Sequence, residues 1–411
     1  MNTRMKKRIA VVAPDLEDLG GVQSIVEMVV RLIEASDRYE CKIISLATAA
    51  SDKLSTRLRS PSSWMRGVRT EVRYWRGRTV IHVGCNWSEF EFMRYRPRPA
   101  LSALLADCDL VQVIGGFPAW GAVVPASALP VANWAATRCL WERSTLLGVG
   151  VSPKVLWRQV MTKIVDRLDA RAMAQADKRM VMNPLMREYA VMLAPQRSED
   201  VVYAPPGVDI HWFAPGANNA PLPSVPYVLV VGRLGDSRKN PALLLEAFLR
   251  FRKLVASPVR LVLAGATGPD DSFWSQAEQA GVKGEITFHA SPDKHALLAL
   301  YQGATCLALS SNEEGFGMVL VESMACGTPV VATRCGGPEG IVSDGQDGFL
   351  VGVGDSDALA KKLAQLFLDS DLRRKMAQCA RQTAVQRFSE EVSGNAFFGV
   401  WDELTEQNHG E

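Results

Sequence analysis

Apolar positions along this chain follow two periods that take turns. Arg8 to Ala13 is a short, nearly continuous apolar run of the kind buried strands show. Pro14 to Gly21 is a loop ending in glycines, and Val22 to Glu34 places Val22, Ile25, Val26, Val29 and Ile33 on one helical face. The same order returns in the second half of the chain. Tyr227 to Val231 reads as a strand, Gly232 to Lys239 as a loop, and Asn240-Pro241 as the cap and first position of a helix carrying Leu244, Leu245 and Phe248. Further strands are predicted at 41–46, 79–83, 110–114, 129–133, 178–182, 201–204, 259–264, 285–288, 305–310 and 329–333, many of them separated by helical stretches. Strands joined by helices form parallel sheets covered on both faces, so the pattern predicts an α/β protein with two doubly wound, Rossmann-like domains.

The proline-rich stretch Ala214 to Pro226 has the composition of a linker and places the boundary: an N-terminal domain over 1–213 and a C-terminal domain over 214–389. A last helical pattern, Glu390 to Gln407 with Val392, Phe397, Val400, Trp401 and Leu404, is longer than a terminal cap requires. The segment 390–411 is expected to complete the first domain.

Composition changes this picture little. The 411 residues are more than one core usually organises, and 47% hydrophobic with 22% charged residues is an ordinary globular balance. No apolar run approaches the ~20 residues of a membrane span, and Ile9 to Ala13 is too short for a signal peptide, so a cytoplasmic protein is expected. The eight cysteines (41, 85, 108, 139, 306, 326, 335 and 379) show no CxxC pair or zinc spacing and read as mostly buried free thiols.

Charge is more informative. Residues 1–205 carry 29 Lys+Arg and 20 Asp+Glu, against 17 and 24 in the remainder. Within 53–98 there are 11 basic and three acidic residues, interleaved with Trp64, Tyr74, Trp75, Trp87 and Tyr95. Such a stretch suits an anionic partner, a membrane surface among them; it also fits a solvated basic face around core aromatics. No nucleic-acid partner is expected.

Candidate chemistry concentrates in the second half. Two glycines, Gly20 and Gly21, precede a helix N-terminus, where free amides and the helix dipole favour an anion; a tight structural turn explains them equally well. Gly232-Arg233 and Lys239 put two cations on the loop after a strand, which suits a diphosphate, although surface charges on a loop account better for this segment taken in isolation. In the segment from Ser310 to Thr333, Glu314 begins a glycine loop of Gly315, Phe316, Gly317, Met318 and Val319, and Glu322 stands on the following helix. A carboxylate among apolar neighbours needs hydroxyl or cationic partners. Glu314 and Glu322 can accept hydrogen bonds from sugar hydroxyls while the loop amides hold phosphate. Asp107-Cys108-Asp109, Asp355-Ser356-Asp357 and Asp369-Ser370-Asp371 spell a metal-binding triplet, but capping accounts for them better and no metal is assigned.

At these residues the chain resembles the retaining glycosyltransferases of family 4, which have the GT-B fold of two Rossmann-like domains facing a central cleft. The resemblance rests on Gly20-Gly21, Gly207-Val208-Asp209, Arg233 and Lys239, the spacing from Glu314 to Glu322, Gly336-Gly337-Pro338-Glu339 and Asp347-Gly348. It implies that Arg233, Lys239 and Glu314 are catalytic, and that Gly20, Gly21, Gly232 and the segment Glu314 to Val319 bind the donor. Within that set Arg233 and Lys239 would hold the donor diphosphate, Glu314 the transferred sugar and Glu322 the ribose hydroxyls, with Gly20-Gly21 approaching from the other domain. One departure is clear: many members carry a His just after the strand read here as 129–133, where this chain has Trp134-Ala135-Ala136-Thr137-Arg138.

The expected activity is transfer of a hexosyl unit from a nucleoside diphosphate sugar to a glycan or lipid-linked acceptor, with retention, in cell-surface polysaccharide or glycolipid synthesis. No cofactor or metal is expected, and the enzyme is expected in the cytoplasm, peripheral at the inner membrane face. A nucleotide-sugar epimerase or hydrolase, or a non-catalytic nucleotide-sugar binder, would use the same donor residues.

Overall fold

A computed structural model describes residues 6–17, 21–125, 129–144, 152–216 and 224–407. The chain divides into two compact domains, one of residues 1–205 with 394–411 and one of 206–393. The division thus falls at Pro205, ahead of the proline-rich stretch, whose residues 217–223 lie outside those described. Asp209 to Phe213 is tied to the second domain by Arg381, which donates to the carbonyls of Ile210 and Phe213 at 3.0 and 2.8 Å.

The N-terminal domain runs β1 (Lys7–Pro14), α1 (Gly21–Glu34), β2 (Tyr39–Leu46), α2 (Pro61–Arg66), β3 (Thr70–Trp75), β4 (Arg78–Val83), α3 (Pro99–Leu105), β5 (Leu110–Gly115) and β6 (Val131–Ala135). It continues with α4 (Cys139–Glu142), α5 (Pro153–Gln175), β7 (Lys178–Val181), α6 (Pro184–Leu193) and β8 (Val201–Tyr203). Its sheet has the order β3-β4-β2-β1-β5-β6-β7-β8, parallel except for the β3–β4 hairpin. The apolar stripe of α1 buries Ile25, Val26, Val29 and Ile33, as the periodicity predicts.

In the C-terminal domain β9 (Tyr227–Val231) is followed by α7 (Pro241–Leu254), β10 (Arg260–Gly265), α8 (Asp271–Gln279), β11 (Ile286–Ala290), α9 (Lys294–Gly303), β12 (Cys306–Leu309) and α10 (Met318–Ala325). Then come β13 (Val330–Thr333), α11 (Pro338–Ile341), β14 (Gly348–Val351), α12 (Ser356–Leu368) and α13 (Ser370–Phe388); the last helix, α14 (Glu390–Gln407), starts in this domain and leaves it at Gly394. The six strands lie in the order β11-β10-β9-β12-β13-β14, all parallel. Val228, Leu261, Leu263, Leu244, Phe248 and Phe251 are fully or almost fully buried between sheet and helices.

Two strands escape the sequence pattern. β3 is an edge strand whose apolar Val72 and Tyr74 are exposed, so no buried alternation marks it; Arg76-Gly77, both at positive φ, make the tight turn. β14 is only four residues long and opens on Gly348. A third difference shifts β6: Trp134 and Ala135 are strand residues, and the Trp134 indole, 1% exposed, donates to the Ala204 carbonyl at 2.8 Å. Only Ala136, Thr137 and Arg138 form the turn after the strand.

From Gly394 onward α14 packs within the N-terminal domain, with Trp401 buried and donating to Gln112 at 2.9 Å. Asp355 and Asp369 cap α12 and α13. Asp107 binds Lys42 and Arg8. All eight cysteines are free thiols, six of them buried; Cys379 is exposed and Cys41 half-buried.

Candidate functional site

The residues chosen from the second half of the sequence gather at the carboxyl ends of β9 and β12. In a parallel sheet the loops at that edge meet helix N-termini, and anions bind there. Gly232 follows β9 directly, and Arg233 is exposed and forms no ion pair among the described residues. A short helical turn, Ser237–Lys239, leads to Asn240, whose left-handed backbone and side chain cap α7 at the Leu243 amide.

Lys239 reaches across to the loop after β12 and binds Glu314 through Oε1, which also accepts from Ser311 Oγ at 2.7 Å. Beside it Arg238 clamps Asp236 and contacts Glu313 at 3.3 Å. Burial would raise the Asp236 carboxyl, but the Arg238 guanidinium outweighs it and holds the group below the ordinary range. Backbone bonds sew the two loops together: the Asn312 amide donates to the Arg238 carbonyl at 2.7 Å, and Ser310 Oγ donates to the Lys239 carbonyl at 2.8 Å.

The Glu314 backbone is fixed on its far side by the Cys335 carbonyl and the Gly337 amide. This explains Gly336-Gly337: a Cβ on Gly337 would fall 2.2 Å from the Phe316 carbonyl oxygen. Gly317 adopts φ 105°, a conformation that favours glycine, and opens α10 with no capping side chain. The Met318 and Val319 amides have no acceptor within α10 and can serve a ligand, whereas the Leu320 amide turns back to the Gly317 carbonyl at 2.9 Å. Phe316 itself is buried, edge-on to Phe388 at 5.8 Å, so only its backbone can serve a ligand. Met318 and Val319 are half-buried in the first turn.

Glu322, one turn further along α10, takes the Tyr301 hydroxyl of α9 at 2.6 Å. Burial pushes its carboxyl up, while the hydrogen bond from Tyr301 and the charge of Lys294 pull it down. The structure therefore joins Lys239 with Glu314 and gives Glu322 a separate set of partners. Ser311, Tyr301 and the Asp236–Arg238–Glu313 cluster escape the sequence reading; the one available signal is that Arg238 adjoins Lys239 and Glu313 adjoins Glu314.

In the N-terminal domain Gly21 is the first residue of α1 and is exposed; Gly20 lies outside the described residues. His82 is a core histidine on β4, fully buried between Asp52 at 3.2 Å and Ser45 at 3.0 Å.

Residues 218–383 match the sequence model of the family described as glycosyl transferases group 1. D-inositol 3-phosphate glycosyltransferase of Corynebacterium urealyticum is 35% identical over 217 residues, 48% of this chain and 50% of that protein. The lipopolysaccharide core biosynthesis glycosyltransferase LpsE of Rhizobium meliloti is 34% identical over 173 residues, 42% of this chain and 48% of that one. The chain thus spans about half the length of the curated relatives it matches. Among solved structures, sucrose-phosphate synthase from Thermosynechococcus elongatus superimposes with a TM-score of 0.73 at 19% identity, over 97% of this chain and 99% of that one. HepE of Anabaena, in complex with UDP and glucose, gives 0.68 at 17% identity, over 96% and 99%. These likenesses show the fold, two α/β parallel-sheet domains of the GT-B class.

Proposed function

We propose that the chain is a retaining, metal-independent glycosyltransferase that moves a hexosyl unit from a nucleoside diphosphate sugar to a glycan or lipid-linked acceptor in cell-surface polysaccharide or glycolipid synthesis. The observation that carries the reading is the meeting of Lys239 with Glu314 beside Arg233 and the glycine-opened N-terminus of α10. Arg233, Lys239 and the amides of Gly317 to Val319 take the negative charge that develops on the diphosphate as the glycosidic bond breaks. Glu314 accepts from sugar hydroxyls, and Glu322 from the ribose. The family match over 218–383 covers all of these residues.

Incubation with a panel of nucleotide sugars and acceptors tests the activity, with the anomeric configuration of the product read by NMR. Release of free sugar or an epimer without acceptor would replace transfer by hydrolysis or epimerisation, and donor binding without turnover would leave a binding protein. Glu322→Gln keeps an acceptor for Tyr301 and is expected to weaken nucleoside diphosphate binding by about 1–3 kcal/mol in calorimetry. Glu314→Gln is expected to act mainly on the transfer rate.

The acceptor side of the proposal places an anionic membrane surface against part of the basic stretch. No helix among the described residues is long and apolar enough to cross a membrane. Much of the basic charge is already used: Arg73 binds Glu17 and Glu71, Arg76 binds Glu27, Arg78 binds Glu34, and Arg98 is buried on backbone carbonyls. Around α2, Trp64 and Met65 are 51% and 88% accessible and Arg59, Arg66 and Arg69 are exposed. Basic residues at an anionic surface contribute about 1 kcal/mol each. Replacing Arg59, Arg66 and Arg69 with Ser is therefore expected to abolish cosedimentation with anionic liposomes at low salt. Replacing Arg73 and Arg76 should matter less. Wild-type protein that ignores anionic liposomes would remove the membrane from the proposal.

A further inference from the structure

We infer that Glu314 is a resident counter-ion of Lys239, which the arriving diphosphate displaces, so that phosphate binding itself frees the carboxylate for the sugar. This rests on the donor site proposed above. Of the three cations on the loop after β9, Arg233 is free of ion pairs among the described residues, whereas Arg238 is held by Asp236 and Glu313, and Lys239 by Glu314. The site at rest therefore presents one open cation and two neutralised ones.

The pair cannot persist unchanged when a phosphate reaches the Lys239 ammonium, because the Glu314 carboxylate would then face a second anion at contact distance. Like charges at that range repel by several kcal/mol where water is thinned out. The backbones on either side do not yield. Lys239 is fixed through its carbonyl by Ser310 Oγ, and Glu314 through its amide and carbonyl by Cys335 and Gly337. What can turn are the side chains, the carboxylate about its own bonds and the ammonium on its longer stem, and the Ser311 hydroxyl can follow the carboxylate or let go. Sugar engagement by Glu314 is thus conditional on phosphate occupancy, and a sugar lacking a diphosphate meets a carboxylate that is already engaged.

The consequence runs opposite to what a plain binding residue would show. Glu314→Gln removes the competing charge and is expected to tighten binding of a free nucleoside diphosphate by about two- to fivefold, the size of a part-exposed ion pair, while transfer falls. Isothermal titration with UDP, GDP, ADP, CDP and dTDP measures this on the full chain, with thermal melts confirming that each variant is folded. Should E314Q not fold, S311A, which loses the hydroxyl that steadies the carboxylate on Lys239, is expected to move affinity in the same direction by a smaller factor. A wild-type chain that binds none of the five nucleotides would defeat the donor site itself. Binding by the wild type with equal or weaker binding by the variant would overturn the counter-ion role and leave the donor site standing.

Discussion

Lys239→Ala is expected to reduce kcat/KM for transfer by about 10²- to 10³-fold, the range seen when one preorganised group that stabilises transition-state charge is removed. The variant loses a cation that would face the leaving diphosphate, and it leaves the Glu314 carboxylate with Ser311 but without its charge partner. The second effect must be separated from the first. Lys239→Ala combined with Glu314→Gln removes the stranded charge, so the loss of the double variant relative to Glu314→Gln alone belongs to the missing cation. Arg233→Ala provides an independent measure, because Arg233 is exposed and forms no ion pair among the described residues. Its loss should leave the melting temperature unchanged while kcat/KM drops. Near wild-type turnover in both single variants would remove diphosphate stabilisation from these residues.

The largest stability effect is expected at Asp169, in the other domain. This residue of α5 is fully buried and accepts the Ala119 amide on one carboxylate oxygen and the Cys139 amide on the other, both at 2.8 Å. It therefore caps two short helical segments at once, Pro118–Val123 and α4, and fixes the turn that follows β6. Asp169→Ala strands two buried backbone donors at roughly 1–3 kcal/mol each, and should lower the melting temperature by about 5–15 °C.

The same residue predicts a pH dependence. Burial raises the Asp169 carboxyl to about 7, with the two amides pulling the other way. Between the ordinary carboxylate value and about 7 the folded chain holds a proton that the unfolded chain has released, so this contribution to stability is lost as pH rises through that window. The slope is at most about 1.4 kcal/mol per pH unit. Asp169→Asn stays neutral, so its stability relative to wild type should improve from pH 5 to pH 7.5 in thermal melts. A constant difference would mean that the two amides keep Asp169 ionised throughout.

Near Asp169 the sequence is least legible. Nothing in the apolar spacing of α5 distinguishes an aspartate that caps distant segments from one on a solvated face, because its partners are backbone amides 30 and 50 residues away. The basic stretch shows the same limit. Its 11 cations are plain in the sequence. Their pairing with Glu17, Glu27 and Glu34 depends on how β3, β4 and the turn between them lie against α1 and its preceding loop, and Arg98 is buried because the Val83 and Gly84 carbonyls at the end of β4 meet its guanidinium. Charge counted along a chain overstates the charge that a surface presents.

What the sequence determined by itself is the local physics: strands and helices whose apolar period matches one buried face, the Asn240-Pro241 start of α7, the aspartate caps of α12 and α13, and the glycines at 317 and 336, where the backbone has positive φ, and at 337, where a side chain would collide with the Phe316 carbonyl. These signals lie within a few residues of what they specify, so α1, β9 and α14 can be read almost to their ends. The pairing of Lys239 with Glu314, of Tyr301 with Glu322 and of Asp169 with two helix starts was decided only by the tertiary structure. Each joins groups far apart in sequence that parallel strands and crossover helices bring to one edge, and no periodicity encodes which distant partner will satisfy a buried charge.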